Sequence, residues 1–216
     1  MDQKILLAKQ KFSLKNKSGN KFLAKKLPLN FIFSDRKRIT DLNLLINDLP
    51  EKFSRRSAII IREYDLVSKK RQEFIAKIEA LLRKKNIRLM IAKDVGLCEE
   101  VKSSGFHFSD FDKMPIILLK KIAAKKIISL AVHNLVSLKK ANRKPLNLYV
   151  DLIFISPVFS TKSHPNSKNL GLRNLTKFSL QNKKPLYALG GIGANNINSL
   201  IKIKNLSGFA GIDLYK

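Results

Sequence analysis

The sequence has no tryptophan, a single cysteine and no apolar run long enough to cross a membrane. The lone Cys98 excludes an internal disulfide and suits a reducing compartment. The first residues, 1–10, lack the long apolar region and small-residue cleavage site of a signal peptide. These absences predict a cytoplasmic protein without a membrane partner.

Acidic residues are also scarce: 16 aspartates and glutamates stand against 43 lysines and arginines, giving a formal net charge of +27. Such a charge would suit a nucleic-acid-binding protein. The lysines, however, are spread along the whole chain, and no RNA-binding signature with interleaved aromatic residues accompanies them. We therefore expect lysine-rich, solvated helix faces and no nucleic-acid partner, and rank polyanion binding third among the functional hypotheses.

Eight short apolar segments alternate with stretches of helical periodicity, an order typical of parallel strands joined by helices. The segments cover residues 30–33, 57–62, 87–92, 106–108, 126–133, 150–155, 185–189 and 208–214. At 216 residues, 44% of them hydrophobic, this pattern predicts a single-domain α/β fold, a (β/α)8 TIM barrel. The rival open sheet is less well supported, because no Gly-x-Gly-x-x-Gly motif follows the first strand.

The two ends of the chain depart from a regular barrel. Only Tyr215 and Lys216 follow the last predicted strand, so we expect a barrel without the usual final helix. Residues 1–28 form a basic extension before the barrel domain, which we assign to residues 29–216. Because Ile5, Leu6 and Phe12 give this extension an apolar edge, we expect a helix over about residues 3–12 to pack near strands eight and one.

Polar and glycine-rich segments follow strands six and seven, where ligands of parallel βα units bind. Ser156-Pro157 ends strand six, and a polar loop then carries Thr161, Lys162, Ser163 and His164. Gly190-Gly191 ends strand seven, and a glycine pair at that place is typical of a phosphate-binding segment. The two loops together predict a site for a phosphorylated ligand.

These loops also carry a family resemblance. The run Ser156-Pro157-Val158-Phe159-Ser160-Thr161, then Gly171-Leu172, then Ala188-Leu189-Gly190-Gly191-Ile192 resembles thiamine phosphate synthase and its relative TenI. Those families have a Gly-Pro-Val-Phe-Pro-Thr-x-Thr-Lys loop and an Ala-Ile-Gly-Gly-Ile strand end. The resemblance covers about residues 30–214 and identifies the chain as a divergent bacterial member.

The resemblance implies a transferase of thiamine biosynthesis, which joins hydroxymethylpyrimidine pyrophosphate to thiazole phosphate and releases pyrophosphate. Its partners would be these small phosphorylated substrates, its cofactor Mg²⁺, and a homo-oligomer is compatible with it. The resemblance also implies roles for individual residues. The catalytic residues are Arg62, His133 and Lys162, and the substrate-binding residues are Thr161, Ser163, His164, Gly190 and Gly191.

The metal ligands implied by the resemblance are Asp94 and Asp112. Read without gaps, Lys93 would occupy the place of the family's first metal-binding aspartate. A deletion of one residue puts Asp94 there instead, and we prefer that alignment. Two carboxylates at adjacent strand ends could hold Mg²⁺ through water and substrate phosphates.

His107 and His133 lie within predicted strands, on a face of small residues that a barrel turns inwards. Each resembles a histidine of the family, in its Gly-Val-His and Ser-x-His motifs. We therefore expect both rings in the barrel interior, and we assign His133 a catalytic role.

Two alternatives keep the same fold. A TenI-type thiazole tautomerase would need a catalytic histidine where this chain has Pro157. A non-catalytic or regulatory phosphate-binding barrel is favoured by the replaced positions, which are Ile60, Tyr64, Ala92, Ala131, His164 and Asp213.

Overall fold

In the computed structural model, which describes residues 2–17, 27–108, 116–161, 168–212 and 214, the eight parallel strands form a closed barrel. Each strand pairs with the next along the chain, and the first strand closes the barrel on the last, with Asn30 opposite Phe209. The strands are β1 Asn30–Phe33, β2 Ser57–Ile61, β3 Arg88–Ala92, β4 Gly105–Phe108, β5 Ile127–Val132, β6 Leu152–Ile155, β7 Leu186–Leu189 and β8 Leu206–Gly211. The predicted single-domain (β/α)8 barrel is confirmed.

Helices surround this barrel. They are α1 Gln3–Lys17, α2 Leu42–Asn47, α3 Glu51–Ser54, α4 Ser68–Lys84, α5 Val95–Glu100, α6 Ile116–Ala123, α7 Leu135–Ala141, α8 Leu146–Tyr149, α9 Gly171–Gln181 and α10 Ile197–Ile201. Within the described residues, none of these helices combines the length and apolarity that a membrane span requires.

The barrel interior is packed with aromatic rings. Phe31 lies edge-on to both Phe154 and Tyr187, with ring centroids 4.9 and 5.1 Å apart. Phe33 meets Phe154 in the same way at 5.3 Å, nearer the carboxyl ends of the strands. Edge-to-face pairs of this kind add stability beyond the burial of the rings alone. The interior is therefore a solid core, and a ligand site must lie above it.

Helix α1 packs on the outside of the barrel against β8, α10 and α3. It buries Ile5, Ala8 and Phe12, and the Phe12 ring lies 5.8 Å from that of Phe209 on β8. Leu6, expected to be buried as well, is only partly covered. The helix extends beyond the expected residues 3–12, and it packs on the outer face of β8 as expected. The boundary expected between residues 28 and 29 stays a prediction.

Lys9 fastens α1 to the amino-terminal end of the barrel. Its ammonium group donates to the carbonyl oxygen of Phe53, to that of Arg55 at 2.6 Å and to the Ser57 hydroxyl at 2.8 Å. Burial lowers the pKa of Lys9 to about 7, and the nearby charge of Arg56 adds to the shift. A lysine of the basic extension is thus a buried part of the fold.

The bounds of every predicted strand except the first differ from the observed ones, and the differences at β5 and β8 have identifiable causes. Strand β5 ends at Val132 because His133 and Asn134 turn into α7, whose capping box joins Asn134 to Ser137. Strand β8 begins at Leu206, not at Gly208, because the glycine lies within the strand. A Cβ atom at Gly208 would come within 2.0 Å of the Leu29 carbonyl oxygen, so β8 needs a glycine there to approach β1.

The packing of α1 predicts the effect of Phe12→Ala. Removing this fully buried ring should lower the free energy of unfolding by about 3–5 kcal/mol, measured by urea denaturation. Leu14, 66% exposed on the same helix, is the control, and Leu14→Ala should change that energy by no more than about 0.5 kcal/mol. Equal values for the two variants would contradict the docking of α1.

Candidate anion-binding site

A cavity of about 370 Å³ opens at the carboxyl ends of the strands. The segment 189–196, from the last residue of β7 onwards, supplies half of the residues that line it. The loop after β6 contributes Thr161, and residues 211–212 close the side next to β8. Arg38 and Arg62 come from the loop after β1 and the end of β2. The cavity therefore lies where ligands of (β/α)8 barrels bind.

The two glycines of the predicted phosphate segment stand in the left-handed region, with φ of +91° at Gly190 and +67° at Gly191. A Cβ atom at Gly190 would lie 2.8 Å from Pro157 Cα, and one at Gly191 would lie 2.2 Å from the carbonyl oxygen of Ser160. Both positions thus need glycine for conformation and for space. The glycine pair lets the loop after β7 touch the loop after β6.

Backbone hydrogen bonds tie these two loops together. The Val158 amide donates to the Leu189 carbonyl at 2.9 Å, and the Phe159 amide donates to the Gly190 carbonyl at 3.0 Å. They continue the pairing of β6 with β7 beyond the strand ends. The wall of the cavity is therefore an extension of the sheet.

Asn196 shapes the rest of the segment after β7. Its side-chain oxygen accepts from the Gly193 amide at 3.0 Å, and its side-chain nitrogen donates to the Gly191 carbonyl at 2.8 Å. Residues 191–193 are held as a compact turn, and glycines at two of its positions leave the backbone facing the cavity. Backbone dipoles in such a turn suit an anionic group.

Ser34, the residue after β1, holds Arg62 at the mouth of the cavity. The Arg62 amide donates to the Ser34 hydroxyl at 2.9 Å, and the Arg62 Nε donates to the Ser34 carbonyl at 3.2 Å. The guanidinium lies 5.4 Å from the centre of the Phe33 ring and 3.7 Å from a carboxylate oxygen of Asp35. The half-buried Arg62 is therefore a positioned cation with a counter-charge nearby.

Glu63 stabilises the contact between Ser34 and Arg62. Its Oε2 accepts from the Ser34 hydroxyl and from the Arg62 amide at 3.1 Å, while its buried Oε1 has no hydrogen-bond partner among the described residues. The carboxylate thus braces the junction of β1 and β2 without lining the cavity.

The cavity is positively charged. Among the described residues that line it, Arg38 and Arg62 are cationic, and neither aspartate nor glutamate is present. Two guanidinium groups and a glycine-rich backbone suit a phosphate or pyrophosphate group. Arg62, Thr161, Gly190 and Gly191 are the predicted site residues that the fold brings to this cavity.

The two histidines have different positions. His107 is in the interior as expected, with Nδ1 2.9 Å from the Ser129 hydroxyl. Its pKa is lowered to about 3 by burial first, and then by the charges of Arg62 and Lys93. His107 is therefore neutral near pH 7.

His133 was expected in the interior, and this expectation is wrong. Because β5 ends at Val132, His133 is exposed at the rim, where its Nδ1 lies 2.9 Å from the Ser156 carbonyl oxygen. Ser156 lines the cavity, so the ring stands beside the site through this contact. A catalytic role for His133 stays a prediction.

Asp94 has both carboxylate oxygens engaged. One accepts from the Leu97 amide at 2.9 Å and caps α5. The other accepts from the Ser68 hydroxyl and lies 3.5 Å from the guanidinium of the buried Arg71. Burial alone would raise the pKa of Asp94, but the two hydrogen bonds and the Arg71 charge outweigh it and lower that pKa.

The surroundings of Asp94 do not fit a Mg²⁺ site. Lys93, the preceding residue, places its ammonium group 4.6 Å from the centre of the Tyr64 ring, so a cation stands at this strand end. Within the described part of the chain, no three His, Cys, Asp or Glu side chains form a group that could hold a metal ion. Asp112, the second predicted ligand, lies outside the described residues.

Three further predicted site residues, Lys162, Ser163 and His164, also lie outside the described residues, as does Asp213. Arg38 was missed, because nothing in the sequence distinguishes it from its cationic neighbours Arg36 and Lys37. Asn196 was missed as well, since its contacts depend on the turn that it stabilises.

Fold and cavity together define a (β/α)8 barrel with a cationic cavity at the carboxyl ends of its strands, and comparison with known proteins narrows this class. A model of the family described as "Thiamine monophosphate synthase" matches residues 34–213. The chain therefore belongs to that family, as the loop motifs predicted.

Individual relatives agree with this assignment. The chain is 29% identical to a "Putative thiamine-phosphate synthase 2" of Aquifex aeolicus (strain VF5) over 191 residues, which are 88% of this chain and 98% of that protein. It is also 29% identical to a "Thiamine-phosphate synthase" of Hydrogenobaculum sp. (strain Y04AAS1), over 68% of this chain and 67% of the relative.

Among solved structures, the "Thiamine phosphate pyrophosphorylase" from Pyrococcus furiosus superposes with a TM-score of 0.71 at 25% identity. The superposition covers 88% of this chain and 87% of the other. The likeness thus extends over nearly the whole barrel.

The contact between the two loops predicts the effect of Gly191→Ala. Gly171 is a matched control, since its φ is also +67° but a Cβ there would have no atom within 4 Å. Gly171→Ala should lower the free energy of unfolding by about 1–2 kcal/mol, the cost of a left-handed alanine. Gly191→Ala should cost clearly more in the same urea titration, because Ser160 must also move. Equal costs would contradict the loop contact.

Proposed function

We propose that this protein is a thiamine phosphate synthase, which joins hydroxymethylpyrimidine pyrophosphate to thiazole phosphate and releases pyrophosphate. The observation that carries this proposal is the cavity. It is built where the family's two loop motifs meet, and the described residues that line it include two arginines and no acid. Each substrate of the reaction carries a phosphate or pyrophosphate group that such a cavity suits.

In this mechanism the carbon–oxygen bond between the pyrimidine methylene and the pyrophosphate breaks first, and the leaving group takes the electron pair. The thiazole nitrogen then donates its lone pair to the resulting pyrimidine cation. Negative charge thus develops on the leaving oxygen. Arg62, fixed by Ser34 at the mouth, is in a position to stabilise that charge.

The remaining contribution of the protein is to position the substrates. We assign the thiazole phosphate to the segment 190–194, whose backbone faces the cavity. Thr161, on the adjoining loop after β6, supplies a hydroxyl. Lys162, Ser163 and His164, which follow it in the chain, stay predicted site residues.

Use of Mg²⁺ is an expectation from the family, where the ion would help to neutralise the pyrophosphate. The contacts of Asp94 favour a structural role for this residue over the predicted metal-binding one. Asp112 stays a predicted ligand. Our mechanism therefore assigns no step to the ion.

The regulatory barrel is the competing hypothesis, since several family positions are replaced. One contact counts against it. Tyr64 occupies the place of a lysine in the family motif, but its ring holds the ammonium group of Lys93, so a cation stands there nonetheless. The tautomerase hypothesis is weaker, because Pro157 replaces the histidine that it needs.

We further propose that the protein acts in the cytoplasm on small phosphorylated substrates. A cavity of about 370 Å³ with two arginines suits a small anionic ligand, and we propose no macromolecular partner. A homo-oligomer is compatible with the fold.

The direct test is to incubate the purified protein with both precursors and Mg²⁺ and to measure thiamine phosphate by chromatography after oxidation to its fluorescent thiochrome. We expect product from the wild type and a loss of roughly 100-fold in kcat/KM for Arg62→Ala. Arg55→Ala removes the same charge from an exposed position and should retain full activity.

Two results would contradict the proposal. Equal activity of the Arg55 and Arg62 variants would remove Arg62 from the mechanism. A wild-type protein that binds thiamine phosphate but forms none would support the regulatory barrel instead.

A further inference from the structure

Three consecutive cations follow β1, and the fold uses each of them differently. Arg36 pairs with Asp65, with 2.7 Å between guanidinium and carboxylate. Lys37 is exposed. Arg38 is half-buried and lines the cavity together with the glycine segment after β7. Of the three, Arg38 is therefore the one placed to meet a ligand.

A tight turn holds Arg38 in this position. The amides of Arg38 and Ile39 both donate to the Asp35 carbonyl, at 3.0 and 2.8 Å, and the Lys37 amide donates to the Asp35 carboxylate at 3.1 Å. Ile39, 7% exposed, anchors the next position in the core. The backbone at Arg38 is thus fixed on both sides.

The cavity provides a reason for a second arginine. The segment 190–194 offers backbone dipoles but no charged side chain, and a phosphate monoester carries a charge of about −1.5 to −2 near pH 7. Arg62 lies on the side of β2, and the Asp35 carboxylate 3.7 Å away offsets part of its charge. A phosphate on the glycine segment therefore gains from a cation in the β1 loop, next to β8.

We propose that Arg38 is a specificity-determining residue that recognises the phosphate monoester of the thiazole substrate on the segment 190–194. This inference rests on the proposed function for the identity of the substrate. The inference can be tested without turnover, because Arg38 would make the same contact with inorganic phosphate or with thiamine phosphate. Arg62 then serves the pyrophosphate end of the cavity.

The test compares two neutral replacements, Arg38→Met and Arg38→Ala, with Lys37→Ala. All three variants remove one positive charge, and the methionine keeps most of the side-chain volume, so at least one Arg38 variant should fold. Binding of inorganic phosphate, thiamine phosphate and unphosphorylated thiamine is measured by calorimetry at fixed ionic strength. Steady-state kinetics then gives KM for each substrate separately.

We expect the Arg38 variants to bind thiamine phosphate about 10- to 100-fold more weakly, the loss of one charge-assisted hydrogen-bond pair. Thiamine binding and KM for the pyrimidine pyrophosphate should stay within about twofold, while KM for thiazole phosphate rises. Lys37→Ala should match the wild type in every measurement.

Equal phosphate affinity in the Arg38 and Lys37 variants would overturn the inference. So would a rise in KM confined to the pyrimidine pyrophosphate, since Arg38 would then serve the other substrate. The two proposals can fail separately. If the wild type forms no thiamine phosphate, but replacing Arg38 still weakens phosphate binding, the proposed function is refuted and the role of Arg38 is upheld.

Discussion

The site depends on one close contact between backbones. Residues 190 and 191 lie so near residues 157–160 that a Cβ atom at either glycine would overlap the opposite chain. This contact joins the loops after β6 and β7 into one wall, and the hydrogen bonds from Val158 and Phe159 fix its register. The left-handed glycines then turn the backbone towards the cavity. The phosphate site that we propose therefore combines this exposed backbone with the two arginines of the cavity.

At the mouth of the cavity, acidic and basic side chains have different roles. Three acidic residues of the described segments near the strand ends have structural partners: Asp94 caps α5, Glu63 accepts from Ser34, and Asp35 holds the turn after β1. The cations Arg38 and Arg62 line the cavity. For the function that we propose, the position of two guanidinium groups matters more than the net charge of +27. To select a phosphorylated substrate, a protein needs positive charge at a fixed position in the binding cavity.

The fold and the glycine pair could be predicted from the sequence, because both rest on local patterns. Buried parallel strands appear as short apolar runs such as residues 57–61, and Gly190-Gly191 falls at a strand end. The end of β5 could not be predicted, since the capping box of Asn134 competes with the strand for His133. Arg38 and Lys9 could not be predicted either. Their positions in the folded chain distinguish them from the other lysines and arginines, and the local sequence does not.

The measurement that tests this account most directly is a crystal structure of the protein with thiamine phosphate. We expect the phosphoryl group in the cavity, within hydrogen-bond distance of backbone amides of the segment 190–194. The rest of the ligand should extend towards Arg62 and Thr161. A phosphoryl group bound elsewhere, on the lysine-rich helix faces or at the amino-terminal end of the barrel, would contradict it.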